Sequence, residues 1–125
     1  MAILLIELKT EIVDVGELMA TADRRRRLAP RIASELGWRP TAIGYWVAVA
    51  ESTTNARRVR DHQTVLRSAF PSDWRAISTW LREPVGPMAG LSMRASRRLP
   101  SDRNAIVKRV GRRRPHRVDP DVVRG

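Results

Sequence analysis

Between Ala42 and Ala50 the chain reads Ala-Ile-Gly-Tyr-Trp-Val-Ala-Val-Ala, nine residues without a charge and rich in aromatic and β-branched side chains. A strand with one wet face would alternate apolar and polar residues. This run does not, so it predicts a strand buried on both faces, and such strands are usually parallel members of a helix-covered sheet. Parallel neighbours need a crossover connection, which is right-handed in nearly all cases. The preceding sequence supplies one. Residues 3–9 alternate, with Leu4, Ile6 and Leu8 on one side and Leu5, Glu7 and Lys9 on the other. Asp14, with Glu17 three residues on, is a helix-capping pair. Val15, Leu18, Met19 and Ala22 then fall on one helical face. A second stripe, Leu28, Ile32 and Leu36, predicts a kinked or restarted helix at Pro30, ending near Gly37 and Pro40. Strand, helix and strand make a βαβ unit.

Further along, Ser52-Thr53-Thr54 predicts a cap, followed by a helical stripe of Val59, His62, Leu66 and Phe70. After Pro71, Trp74, Ile77, Trp80 and Leu81 form another stripe that stops before Pro84. Ala89, Leu91, Met93 and Ala95 alternate as a third strand would. Beyond Arg97 no periodicity is evident. The expectation is therefore an α/β domain over residues 1–96 and a flexible, disordered basic tail over 97–125.

Composition narrows the setting. A chain of 125 residues with 42% hydrophobic content can bury one real core. Zero cysteines exclude disulfides and cysteine-ligated zinc, and suit a reducing cytoplasm. The apolar N-terminal run meets Glu7 at once and lacks a basic leader, so neither a signal peptide nor a membrane span is expected. The cytoplasm is the expected location. The net charge is +11, of which +7 falls between Arg97 and Gly125, where ten basic residues face three acids. Such a surface attracts nucleic acid or another polyanion, although a solvated tail without a partner has the same composition.

Of 24 basic residues only Lys9 and Lys108 are lysine. A compact ammonium is chemically distinct from the planar guanidinium fork. On a strand Glu7 and Lys9 share a face. There a carboxylate can hold Mg²⁺ while an ammonium orients the attacking water and stabilises charge on a phosphate. Two residues alone are a weak signal, since an exposed ion pair would look the same.

The wider pattern is more specific. It comprises Leu4-Leu5-Ile6-Glu7-Leu8-Lys9-Thr10-Glu11, Asp14, Asp23-Arg24-Arg25-Arg26-Arg27-Leu28-Ala29-Pro30 and Gly37-Trp38-Arg39-Pro40. Ala50-Glu51-Ser52, Thr54-Asn55-Ala56-Arg57-Arg58-Val59, Trp80-Leu81-Arg82-Glu83-Pro84 and Gly86-Pro87 complete it. Together, across residues 3–95, these resemble the C-terminal PD-(D/E)XK endonuclease-like domain of actinobacterial regulators, usually found downstream of a Cro/C1-type helix-turn-helix. The resemblance implies a restriction-endonuclease-like fold, Glu7 as metal ligand and catalytic residue, Lys9 as the catalytic lysine, Mg²⁺ as cofactor and DNA as partner. It also implies a further acidic ligand on a strand that would precede Met1, so an N-terminally truncated domain is expected. Its sheet would then carry an unpaired edge beside residues 3–9, through which a homodimer could form. Arg25 stands where the family commonly has lysine, and a glutamine often found near Gly16 is missing.

The leading expectation is a partial, inactive nuclease-like domain that binds nucleic acid, a fragment of a transcriptional regulator. Arg24, Arg25, Arg112, Arg113 and Arg114 are its expected backbone contacts. Two alternatives stay open. One is an active Mg²⁺-dependent endonuclease, its missing ligand supplied by a partner chain or by Glu11 or Asp14. The other is a non-catalytic interaction domain. Among other residues, His62 reads as a core histidine, His116 has no nameable partner, and the four tryptophans read as packing rather than base stacking.

Overall fold

The computed structural model describes residues 1–94, 105–110 and 122–124. In chain order the elements are β1 (Ala2–Lys9), α1 (Val15–Glu35), β2 (Ala42–Ala50), α2 (Thr53–Asp61), α3 (Gln63–Ala69), α4 (Trp74–Arg82), β3 (Met88–Arg94), β4 (Ala105–Val110) and β5 (Val122–Arg124). The strands form one sheet in the order β3-β2-β1-β4-β5. β1, β2 and β3 are mutually parallel, whereas β4 runs antiparallel to β1 and β5 antiparallel to β4. The α/β class and the βαβ unit are therefore present. No helix of the described residues is long and apolar enough to cross a membrane.

α1 covers one face of the sheet. Asp14 caps it, its Oδ1 accepting the Glu17 N–H at 3.0 Å. Its far end closes with Gly37 at φ +80°, which lets the Gly37 N–H reach the Ser34 carbonyl at 3.0 Å and the Trp38 N–H reach Ala33 at 2.8 Å. Between these ends the helix is continuous, with Pro30 inside it. Pro30 faces solvent, so its missing N–H leaves an accessible rather than a buried carbonyl. The stripe expected over Leu28, Ile32 and Leu36 is a misreading, because all three are exposed and Ala29 and Ala33 point inward instead. A helix that does not break keeps the phase set by Leu18 and Ala22, and that phase selects the alanines.

The opposite face is covered by α4. Asp73 caps it through Oδ1 to the Ala76 N–H at 2.9 Å, and Ile77 and Trp80 are buried under it. Two glycines permit the close approach. A Cβ on Gly90 would lie 2.5 Å from Ile77, and one on Gly44 2.9 Å from Trp80. The two cores thus lie on either side of one sheet: Ile3, Leu5, Tyr45, Val47 and Val49 beneath α1, and Ala2, Leu4, Ala42 and Met88 beneath α4.

Further expectations are corrected. The edge beside β1 is not open, because β4 pairs along it from Ala2↔Val110 to Glu7↔Ala105, and β5 extends the sheet beyond. The basic stretch after Arg97 is thus not wholly disordered. Ala-Ile-Val-Lys-Arg-Val carries enough β-branched residues to add a strand, and an unpaired row of β1 N–H and C=O groups favours one. The premise for a homodimer through that edge goes with it. His62 is not in the core either. It is exposed at the junction of α2 and α3, with Nδ1 3.0 Å from the Arg58 carbonyl. The apolar stripe is interrupted there because the backbone leaves helical geometry at His62 (φ −116°, ψ 29°), while Leu66 and Phe70 remain buried.

Candidate functional site

Glu7 is one of three buried polar or charged residues among those described, with 5% of its surface exposed. It projects toward α1, and two groups meet it. Tyr45, opposite Leu5 in the parallel register, extends along the same face and donates its hydroxyl hydrogen bond to Glu7 Oε1. Arg25 descends from α1, placing one guanidinium nitrogen 3.1 Å from the same oxygen. Its approach supplies charge more than hydrogen-bond geometry, since that nitrogen has no partner satisfying the angular requirement. Arg25 reaches inward because it lies three residues after Ala22 and four before Ala29, on the buried stripe of the helix.

Tyr45 is correspondingly perturbed. Burial, reinforced by the hydrogen bond to Glu7 and that carboxylate's negative charge, pushes its phenol well above the ordinary tyrosine range, with Arg25 opposing. Tyr45 is a neutral donor at any physiological pH.

Beside this triad opens a cleft of about 270 Å³ whose lining includes Glu7, Lys9, Asp14, Glu17, Thr21 and Arg25. Lys9 is half-buried and, among the described residues, has no ion-pair partner. The Glu7–Lys9 face expected from period two is therefore real, and both residues line one concavity. Asp14 also borders it, with one carboxylate oxygen bound to the helix N-terminus. Glu11 is exposed and does not line it.

Among the described residues, free oxygen ligands for a divalent ion are not gathered at Glu7. Mg²⁺ requires octahedral oxygen ligation with free carboxylate lone pairs. Glu7 Oε1 is already shared by a cation and a phenol, and among the described residues no group of three His, Cys, Asp or Glu side chains is gathered to hold a metal.

The other expected contacts disperse. Arg24 is exposed on α1, Arg27 pairs with Asp23 at 3.3 Å, and Arg25 is turned inward. Arg112, Arg113, Arg114 and His116 lie outside the described residues.

Sequence reasoning missed two polar residues. One is Tyr45, whose signal was its place with Val47 and Val49 on the Glu7 face. The other is Asn55, fully buried at the start of α2. Its amide nitrogen donates to the Thr10 carbonyl at 3.1 Å and the Ala50 carbonyl at 2.8 Å, and its oxygen accepts the Ile12 N–H at 3.0 Å. It thereby ties the exits of β1 and β2 together. Arg58, one turn on, donates to the Ile12 carbonyl at 2.7 Å and also to Val13. Comparison with family models, curated proteins and solved structures finds no match to this chain.

Proposed function

We propose that this chain is a non-catalytic nucleic-acid-binding domain on an endonuclease-like frame, in which the Glu-x-Lys pair persists without a metal. The observation that carries the reading is the division of labour in the cleft. Glu7 is neutralised by Arg25 and hydrogen-bonded by Tyr45, while Lys9, two residues on, lines the cleft wall without an ion-pair partner among the described residues. Arg25 supplies the positive charge that a metal would otherwise bring to the carboxylate. A phosphate oxygen can accept from Lys9, although the carboxylates of Asp14 and Glu17 on the same lining limit Lys9 to a single contact. Most of the attraction then comes from the charge of +11, exposed Arg24 included.

The sheet adds support. β5, β4 and β1 run antiparallel in turn, and β1 crosses through α1 to parallel β2. The result is an antiparallel run of three strands followed by a helix and a parallel strand, with two of the strands drawn from the C-terminal side.

The test pairs binding with cleavage. Duplex DNA should bind with an affinity that falls steeply with salt, by about 0.9 in log–log slope per phosphate neutralised, and Lys9→Ala should reduce that slope by about one contact. DNA incubated with the chain and Mg²⁺ or Mn²⁺ should remain intact. Metal-dependent cleavage lost in both Glu7→Ala and Lys9→Ala would overturn the proposal in favour of an enzyme.

A further inference from the structure

On the sheet face away from Glu7, an aromatic cluster has no role in the cleft. Trp46 of β2, Ser92 and Arg94 of β3 share that face, since Trp46 is paired with Gly90, Ala48 with Ser92 and Ala50 with Arg94. The Trp46 indole is fixed by its N–H donating to Ser92 Oγ at 2.9 Å. The close seating of α4 on Gly44 and Gly90 brings its first residue, Trp74, over Trp46, with ring centroids 5.5 Å apart and planes tilted by 36°. The Arg94 guanidinium carbon lies 4.9 Å from the Trp74 centroid and 5.6 Å from that of Trp46. Within α4, Ile77 and Trp80 are buried, yet Trp74 remains 46% exposed.

We propose that Trp74, backed by Trp46 and Arg94, is a stacking site for an unpaired nucleobase, so that the chain engages single-stranded nucleic acid at this point. The inference rests on the proposed nucleic-acid-binding reading and specifies the form of the ligand. An indole left half in water still has apolar surface to bury, and a base offers it a flat partner of matching shape, with stacking that tolerates any sequence. Arg94 makes no ion pair among the described residues, so its charge is available to the adjoining phosphate while its plane stays on the rings. Arg75, next to Trp74, is a second exposed cation. Of the acids near this end of α4, Asp73 has an oxygen committed to the Ala76 N–H. A duplex cannot use the site, because its bases are already stacked inside the helix.

Placement favours a continuous path. Lys9 ends β1 and Arg94 ends β3, on either side of β2, so both lie at the carboxyl edge of the parallel strands. Ligands of open α/β sheets gather at that edge. Two strand spacings separate the backbones, about 10 Å. One strand of nucleic acid crossing the edge can therefore meet the Lys9 cleft on one face and Trp74 on the other.

The experiment titrates the full chain with a short oligothymidylate, and separately with duplex DNA, reading intrinsic tryptophan fluorescence and anisotropy of a labelled oligomer. Oligothymidylate should quench the fluorescence. Trp74→Ala should weaken single-strand binding about ten-fold and leave duplex binding unchanged, while Trp74→Phe retains most of the affinity. Phe keeps a ring at the position, so it also serves as the control should the alanine variant lose thermal stability. Wild-type single-strand affinity in Trp74→Ala would overturn the stacking site alone, as would equal losses for single strand and duplex. Failure of the wild-type chain to bind either probe would overturn the nucleic-acid reading as well.

Discussion

Two buried polar side chains sit near the carboxyl edge of the same sheet and are held in opposite ways. Asn55 is neutral and spends all three of its hydrogen bonds on backbone groups of Thr10, Ile12 and Ala50. Glu7 is charged, and its partners are two side chains, one of which approaches with charge rather than good hydrogen-bond geometry. The Asn55 side chain is fully buried and is directed at backbone groups alone. Around Glu7 a cleft opens, and at its wall stands a lysine with no ion-pair partner among the described residues. The contrast teaches that a fully satisfied buried network is architecture, whereas a network completed by a substitutable cation, with charge left over beside it, has the form of a site.

The largest effect expected from breaking this contrast is at Asn55. Asn55→Ala leaves two carbonyls and one N–H without their partner in a buried setting, and should cost about 3 kcal/mol in chemical denaturation. Glu7→Ala should cost less, about 1–2 kcal/mol in the same measurement. It strands Arg25, but that side chain is 32% exposed and water can solvate it. A cost at Glu7 greater than that at Asn55 would reverse the assignment of architecture and site.

A third prediction concerns pH. Tyr45 is the only tyrosine, and its phenol is raised in the folded chain by burial and by Glu7. The unfolded chain releases that proton near pH 10 while the folded chain keeps it, so the unfolded state binds fewer protons and stability falls as pH rises. The Tyr45 contribution is complete below about pH 10 and declines above it by roughly 1.4 kcal/mol per pH unit until the folded phenol ionises. Stability measured across that range should therefore fall less in Tyr45→Phe than in the wild-type chain. Equal slopes would remove the raised Tyr45 phenol, with the burial and the carboxylate contact that raise it, from the account. The smallest effect is expected at Lys9, where Lys9→Ala should change stability by no more than about 0.5 kcal/mol, because the ammonium makes no ion pair among the described residues.

How much of this was legible in the sequence depended on whether a residue declared itself by period. β1 and β2 did, the Glu7–Lys9 face followed from alternation, and residue type marked the caps at Asp14 and at Ser52, whose Oγ accepts the Asn55 N–H at 3.0 Å. The inward turn of Arg25 was concealed by its place in a run of four arginines, although its spacing from Ala22 and Ala29 puts it on the buried stripe. Leu28, Ile32 and Leu36 misled because bulk was read as burial; the helix instead lays its small residues against the sheet, where close approach matters. Asn55 stands within the wider pattern, but nothing in it marks the residue as buried, since a single satisfied polar group in a core has no periodicity. β4 was hidden by charge: Lys108 and Arg109 made a strand read as tail. Its partner, the open edge of β1, was the better clue, because exposed strand edges tend to be covered.

The central claim is that Glu7 is balanced by Arg25 and Tyr45 rather than by a divalent ion. Calorimetric titration of the wild-type chain with Mn²⁺ tests it most directly. The account predicts no saturable heat up to millimolar Mn²⁺, with a trace indistinguishable from that of Glu7→Gln. Saturable binding of one or two ions, abolished by Glu7→Gln, would contradict it.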